Sequence, residues 1–130
     1  MIKSFEEHTS DLSETELKII PFLIEGFKKH DETDPIKAPV IVKKMNEFFV
    51  KNKSPFKMTE VKLRKCVNHI RSNSLLPLIA TSDGYYITSD KEIIKSQIIS
   101  LQQRAFSINT CAGGLEKFLN DAPNAPVKKR

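Results

Sequence analysis

Leu78-Ile79-Ala80-Thr81-Ser82, then Asp83-Gly84, then Tyr85-Tyr86-Ile87-Thr88 reads as a β-hairpin in a chain whose other periodic segments are helical. Asp-Gly is a preferred pair for a two-residue type I′ turn, because both central residues of that turn need φ above zero. Such a turn pairs Ser82 with Tyr85, Ala80 with Ile87 and Ile79 with Thr88. It places Leu78, Ala80, Tyr85 and Ile87 on one face of the hairpin. The expected fold class is therefore mainly α with one small hairpin, and the helices before and after it carry the rest of the prediction.

Three helices are expected ahead of the hairpin. Ser13-Glu14-Thr15-Glu16 is a capping box, in which the Ser13 hydroxyl and the Glu16 carboxylate satisfy each other's backbone N–H groups. A helix follows to about Lys29, with Leu17, Ile20, Ile24 and Phe27 as its apolar stripe and Leu23 beside them. Pro21 lies inside this stripe and predicts a kink. Ile36-Lys37-Ala38 reads as a short extended piece leading into Pro39, a favoured first helical position. The second helix runs to about Lys51, with Ile41, Met45, Phe48, Val42 and Phe49 as its buried face and Lys43, Lys44 and Glu47 wet.

Residues 52–58 break that helix. Thr59 is a good N-cap for the third, which runs to about Ser72 or Asn73. Leu63, Cys66, Val67 and Ile70 fall in one narrow arc and are expected in the core. The opposite arc holds Val61, Lys65, Asn68 and Ser72, flanked by Arg64 and His69, so the exposed face is polar and cationic. After the hairpin, Ser89-Asp90-Lys91-Glu92 is a second capping box, opening a fourth helix to about Asn109. Ile94, Ile98, Leu101, Ala105 and Ile108 recur at spacings of four and three, and Ala112 and Leu115 would continue the pattern across Gly113-Gly114. This stripe is expected to pack against its own domain in the first place, the alternative being a second copy of the chain in a homodimer. The expected division is a flexible leader over 1–12, a domain over 13–89, a helical extension over 90–120 and a mobile tail over 121–130.

The chain has 130 residues and a formal charge of +5, but that charge is unevenly placed. Residues 1–36 carry four Lys against nine acids. Residues 37–71 carry ten Lys and Arg against Glu47 and Glu60, a local excess of +8, and residues 72–130 are +2. A block of positive charge within a folded segment suits phosphate neutralisation by counterion release, although a solvated helical face can show it too. With 39% hydrophobic and 28% charged residues, the composition is that of an ordinary globular domain. No stretch approaches the ~20 consecutive apolar residues that span a bilayer, and the N-terminus lacks a signal-peptide run, so a cytoplasmic protein is expected.

Three helices followed by a hairpin is the element order of a winged helix-turn-helix. From about Ser13 to Ile108 the chain resembles the winged-helix domains that bacteria and their phages encode. The residues that carry this are Leu76-Pro77-Leu78-Ile79, Asp83-Gly84-Tyr85-Tyr86-Ile87, Ser89-Asp90-Lys91-Glu92-Ile93-Ile94 and Ser100-Leu101-Gln102-Gln103-Arg104-Ala105. The chain departs from the group in its long link between the second and third helices, which contains Pro55 and could tilt the third helix.

The resemblance implies a third helix in the major groove of double-stranded DNA, braced by the second. Arg64, Lys65, Asn68 and His69 would then reach base edges, Arg or Lys suiting guanine and Asn adenine. Lys43, Lys44, Lys57, Thr59 and Lys62 would hold phosphates. No Lys or Arg occurs between Pro77 and Asp90, and Asp83 at the tip is acidic, so the wing is expected to close the core more than to touch DNA.

The implied role is transcription regulation or replication accessory work in a phage or mobile element. The alternative is a winged helix used as a protein-interaction module, since the fold serves both. Neither a glycine-rich phosphate loop nor a nucleophile–base grouping occurs. Cys66 and Cys111 form no CxxC, and His8, His30 and His69 show no metal spacing. No enzyme activity, cofactor, metal or small-molecule substrate is therefore expected, and both cysteines read as packing residues.

Overall fold

The computed structural model describes residues 12–121; the expected leader up to Asp11 and the tail from Ala122 lie outside the described residues. Within that range four helices and one two-stranded hairpin follow in the order α1 (Glu14–Phe27), α2 (Ala38–Lys51), α3 (Glu60–Ser72), β1 (Leu78–Thr81), β2 (Gly84–Ile87) and α4 (Lys91–Asp121). The chain divides between Ile94 and Lys95 into two units.

The first unit takes α1 to α3, the hairpin and the first residues of α4. Helix α1 opens on the expected capping box: the Ser13 hydroxyl accepts from the Glu16 N–H at 3.1 Å and the Glu16 carboxylate accepts from the Ser13 N–H at 2.9 Å. It continues through an exposed Pro21 and buries Ile19, Ile20, Leu23 and Phe27. Leu17, expected on that face, is exposed. The buried arc is centred on Ile20, Leu23 and Phe27, and at about 100° per residue Leu17 falls at its edge. Leu12 packs against the same core.

In α2, Ile41 and Phe49 are buried and Val42 and Met45 half-buried. Phe48 is the correction here. It is exposed, with its ring 5.4 Å from that of the exposed Phe22 of α1.

The segment after α2 is more ordered than a simple break. Lys53 turns at φ 56°, and the Ser54 N–H donates to the Phe49 carbonyl at 2.8 Å, closing the helix end. The Asn46 side chain then clamps the segment to α2. Its Oδ1 accepts from the Met58 N–H at 2.7 Å and its Nδ2 donates to the Met58 carbonyl at 3.1 Å. Met58 is buried, and the Phe56 ring meets Phe49 edge-on at 5.1 Å. Helix α3 starts where expected, with the Thr59 hydroxyl accepting from the Lys62 N–H at 3.2 Å, and Leu63, Cys66, Val67 and Ile70 are all buried in the central core.

The hairpin forms with a different register. Leu78 faces Ile87, Ile79 faces Tyr86, Ala80 faces Tyr85 and Thr81 faces Gly84, so Ser82 and Asp83 make the loop and Gly84 belongs to β2. The pairing slides by two residues, which preserves the sharing of one face by Leu78, Ala80, Tyr85 and Ile87. Two contacts move the turn. The Thr81 hydroxyl accepts from the Asp83 N–H and donates to the Gly84 carbonyl, both at 3.1 Å, giving the loop a side-chain-bonded turn in place of the type I′ form. Gly84, at φ 128°, lies against the backbone of Ile36, where a Cβ would come within 2.6 Å of the Ile36 carbonyl carbon and oxygen. That approach lets Ile36 and Tyr85 exchange N–H and carbonyl bonds at 2.9 and 2.8 Å, adding an isolated bridge beside β2. The extended piece expected at Ile36 is this bridge.

Helix α4 runs past the expected helix end at Asn109 and, without a break at Gly113-Gly114, to Asp121. Asp90 caps it, accepting from the Glu92 N–H at 2.9 Å, so the N-cap lies one residue beyond the expected Ser89. The second unit, from Lys95, is described as this helix alone. Along the expected stripe, Ile98, Leu101, Ala105 and Ile108 are exposed and Ile94 is half-buried. Cys111 on the same helix is exposed as well, and only Cys66 is a packing residue.

Candidate nucleic-acid interface

The +8 segment spans α2, the link and α3. Along α3 the core arc fixes which side chains are left outside, and Arg64, Asn68 and Ser72 are exposed there, with Val61, His69 and Arg71 half-buried. Tyr85 of β2 sits beside this face. Burial pushes its hydroxyl pKa up, the positive charges of Arg64 and Arg71 pull it back, and Glu60 adds to the rise. Arg64 and Arg71, two turns apart on α3, thus both act electrostatically on one half-buried tyrosine, whose ring also meets Phe27 edge-on at 5.8 Å. Arg71 was not among the sequence candidates; the i, i+7 spacing of the two arginines was the available signal.

Lys65 corrects the expected exposed arc. Its side chain is only 15% exposed, and its ammonium donates to the Glu16 carboxylate at 3.0 Å. Burial of Glu16 raises its carboxyl pKa, but the bonds from the Ser13 N–H and from Lys65 outweigh this, and the net shift is downward. The charge that residue counting credits to the outer face is therefore spent within the fold. His69 also has local work. Its ring Nδ1 lies 3.4 Å from the Asn73 amide, and its carbonyl accepts from Asn73 Nδ2 at 2.9 Å at the helix end.

The expected phosphate ligands divide in two. Lys43, Lys44 and Lys57 are exposed. Lys62 lies back along the link, donating to the Lys57 carbonyl at 3.1 Å with its ammonium 4.9 Å from the Phe56 ring centre, and the Thr59 hydroxyl is taken by the cap. A cleft between α1 and α2 carries Phe22, Gly26, Lys29 and Lys44 on its walls. Among the described residues no group of three or more His, Cys, Asp or Glu is placed to hold a metal ion, and no helix is long and apolar enough to cross a membrane.

The chain matches no known family model, no curated protein and no solved structure.

Proposed function

We propose that residues 12–94 are a winged helix-turn-helix that binds double-stranded DNA with α3 in the major groove. Its role is that of a transcription regulator or of a replication accessory in a phage or mobile element. The order helix, bridge strand, helix, helix, hairpin supports the topology, because Ile36 supplies the short strand that joins the hairpin. The observation that carries the reading is the coincidence of the +8 segment with α2, the link and α3, where one α3 arc is core and the other presents Arg64 and Asn68. Arg64 suits guanine and Asn68 adenine; Lys43, Lys44 and Lys57 suit phosphates. In this reading Lys65 positions α3 through Glu16. The long link does not leave α3 loose, because Asn46 and Met58 tie it to α2.

The test is a fluorescence-anisotropy titration with random-sequence duplex at two salt concentrations, in the wild type and in R64E. The expected result is affinity that falls steeply with salt, and at least a tenfold loss in R64E with a shallower salt slope. Affinity indifferent to salt and to the charge reversal overturns the proposal.

One observation favours a second reading, a protein-interaction module. Phe22 and Phe48 pair on the surface beside the α1–α2 cleft, and exposed aromatics of this kind are enriched in protein contacts. Salt-independent capture of a protein partner that is lost in F22A would support it.

A further inference from the structure

The exposed stripe of α4 is longer and more regular than five positions. Ile94, Ile98, Leu101, Ala105, Ile108, Ala112, Leu115 and Leu119 follow at alternating spacings of four and three without a break, which is a heptad seam. From Ile98 onward every one of these side chains is exposed in the single chain. Gly113 and Gly114 lie inside the helix, where each costs ~1 kcal/mol relative to Ala, and helices of this kind draw most of their stability from packing of an apolar face. A second helix on the seam supplies that packing.

The chemistry of the seam selects its occupant. In heptad terms Ile98, Ala105, Ala112 and Leu119 take position a, and Ile94, Leu101, Ile108 and Leu115 take position d. A parallel, in-register pair would stack Ala105 on Ala105 and Ala112 on Ala112, leaving two thin layers. It would also set β-branched Ile108 at d, where two-stranded parallel coils prefer Leu. Running the second helix the other way removes both faults. Ala105 then faces Ile108 of the second copy and Ala112 faces Leu101, so that each alanine meets a large side chain, while Ile98 faces Leu115. The flanks agree. In this register Lys95 lies on the same side of the seam as Glu116 of the second copy, and Arg104 beside Cys111, so no like charges meet.

We infer that this protein forms a homodimer through α4, as an antiparallel two-stranded coil in which Ala105 packs on Ile108 of the second copy. It does not depend on the nucleic-acid reading.

The natural Cys111 makes the orientation measurable. In the antiparallel register R104C sets a new thiol beside Cys111 of the second copy, whereas a parallel pair would set E116C beside it; in neither do two Cys111 residues meet. Cys66 is buried and does not interfere. Full-length wild type, R104C and E116C are treated with a mild oxidant and run on a non-reducing gel, and the wild type and I108D are sedimented. The expected result is a wild-type dimer, a cross-link in R104C only, and a monomeric I108D whose thermal melt retains the transition of the first unit. A wild-type monomer or tetramer overturns the inference. So does a cross-link in E116C, or a dimer in which R104C fails to cross-link.

Discussion

Glu16 and Lys65, 49 positions apart in sequence, share one ion pair that joins the first turn of α1 to the middle of α3. A single carboxylate oxygen, Oε1, accepts from the Ser13 N–H at 2.9 Å and from the Lys65 ammonium at 3.0 Å. The residue that completes the α1 capping box thus also holds α3.

This pair predicts an acid-labile fold. The Glu16 carboxyl is lowered from its ordinary value of 4.5, because its two bonds outweigh the effect of burial. A depressed carboxyl contributes stability that is fully present above that ordinary value and is lost as pH falls through the folded-state value. Urea midpoints measured from pH 7 downward should therefore fall below about pH 5 in the wild type. In E16Q the part of that fall that comes from this carboxyl should be absent. At neutral pH, K65M leaves a buried carboxylate short of one partner and should cost about 1–3 kcal/mol. A midpoint profile identical in the wild type and E16Q would show that the pair contributes nothing.

Gly84 predicts a backbone-determined defect. Its φ of 128° is one that L side chains rarely adopt, at a cost of order 1–3 kcal/mol, and a Cβ would also strike the Ile36 backbone. G84A should therefore destabilise by about 2 kcal/mol or more and should speed hydrogen exchange at the Ile36 and Tyr85 amides, which bond each other's carbonyls. Unchanged exchange at both amides in a folded G84A would contradict the close approach.

The helices were legible in the sequence where one face meets one core. Leu63, Cys66, Val67 and Ile70 recur at helical spacing and are all buried, and the Ser13 and Thr59 caps are marked by their own side chains. Legibility ended where a distant residue decides. The hairpin register was readable as a parity but not as a pairing, because it depends on Ile36, 48 positions before Gly84. Lys65 counted as surface charge because nothing near it announces Glu16. Met58 looked like part of a break, since its burial follows from the Asn46 clamp and not from any period. The same limit hid Phe48, whose stripe position was right and whose cover stops short of it.

The two cysteines should separate cleanly. Burial raises the Cys66 thiol to about 11, with Glu16 adding to the rise and Lys65 opposing it, while Cys111 is exposed. A native chain offered a disulfide reagent at pH 8 should release one equivalent promptly in reduced, monomeric I108D, and the second only on unfolding. The slow phase should follow the unfolding rate across a urea series, because thiolate formation at Cys66 needs exposure first. Two fast equivalents in native protein would place Cys66 outside the core.

Asn46 should matter to α3 out of proportion to its size. Its amide bonds both the N–H and the carbonyl of Met58, doing for the link what a strand partner would do, and the residue that follows Met58 is the α3 N-cap. N46A removes both bonds from partly buried backbone groups and should cost about 1–3 kcal/mol. N46D keeps the acceptor for the Met58 N–H but turns an oxygen toward its carbonyl, so it should be no better than N46A. N46L fills the volume without either bond, which makes it the control for packing alone. Thermal melts of the three variants rank the contributions: N46L as stable as the wild type would mean that the segment is held by Phe56 and Met58 packing, and a loss in all three assigns the register of α3 to the amide.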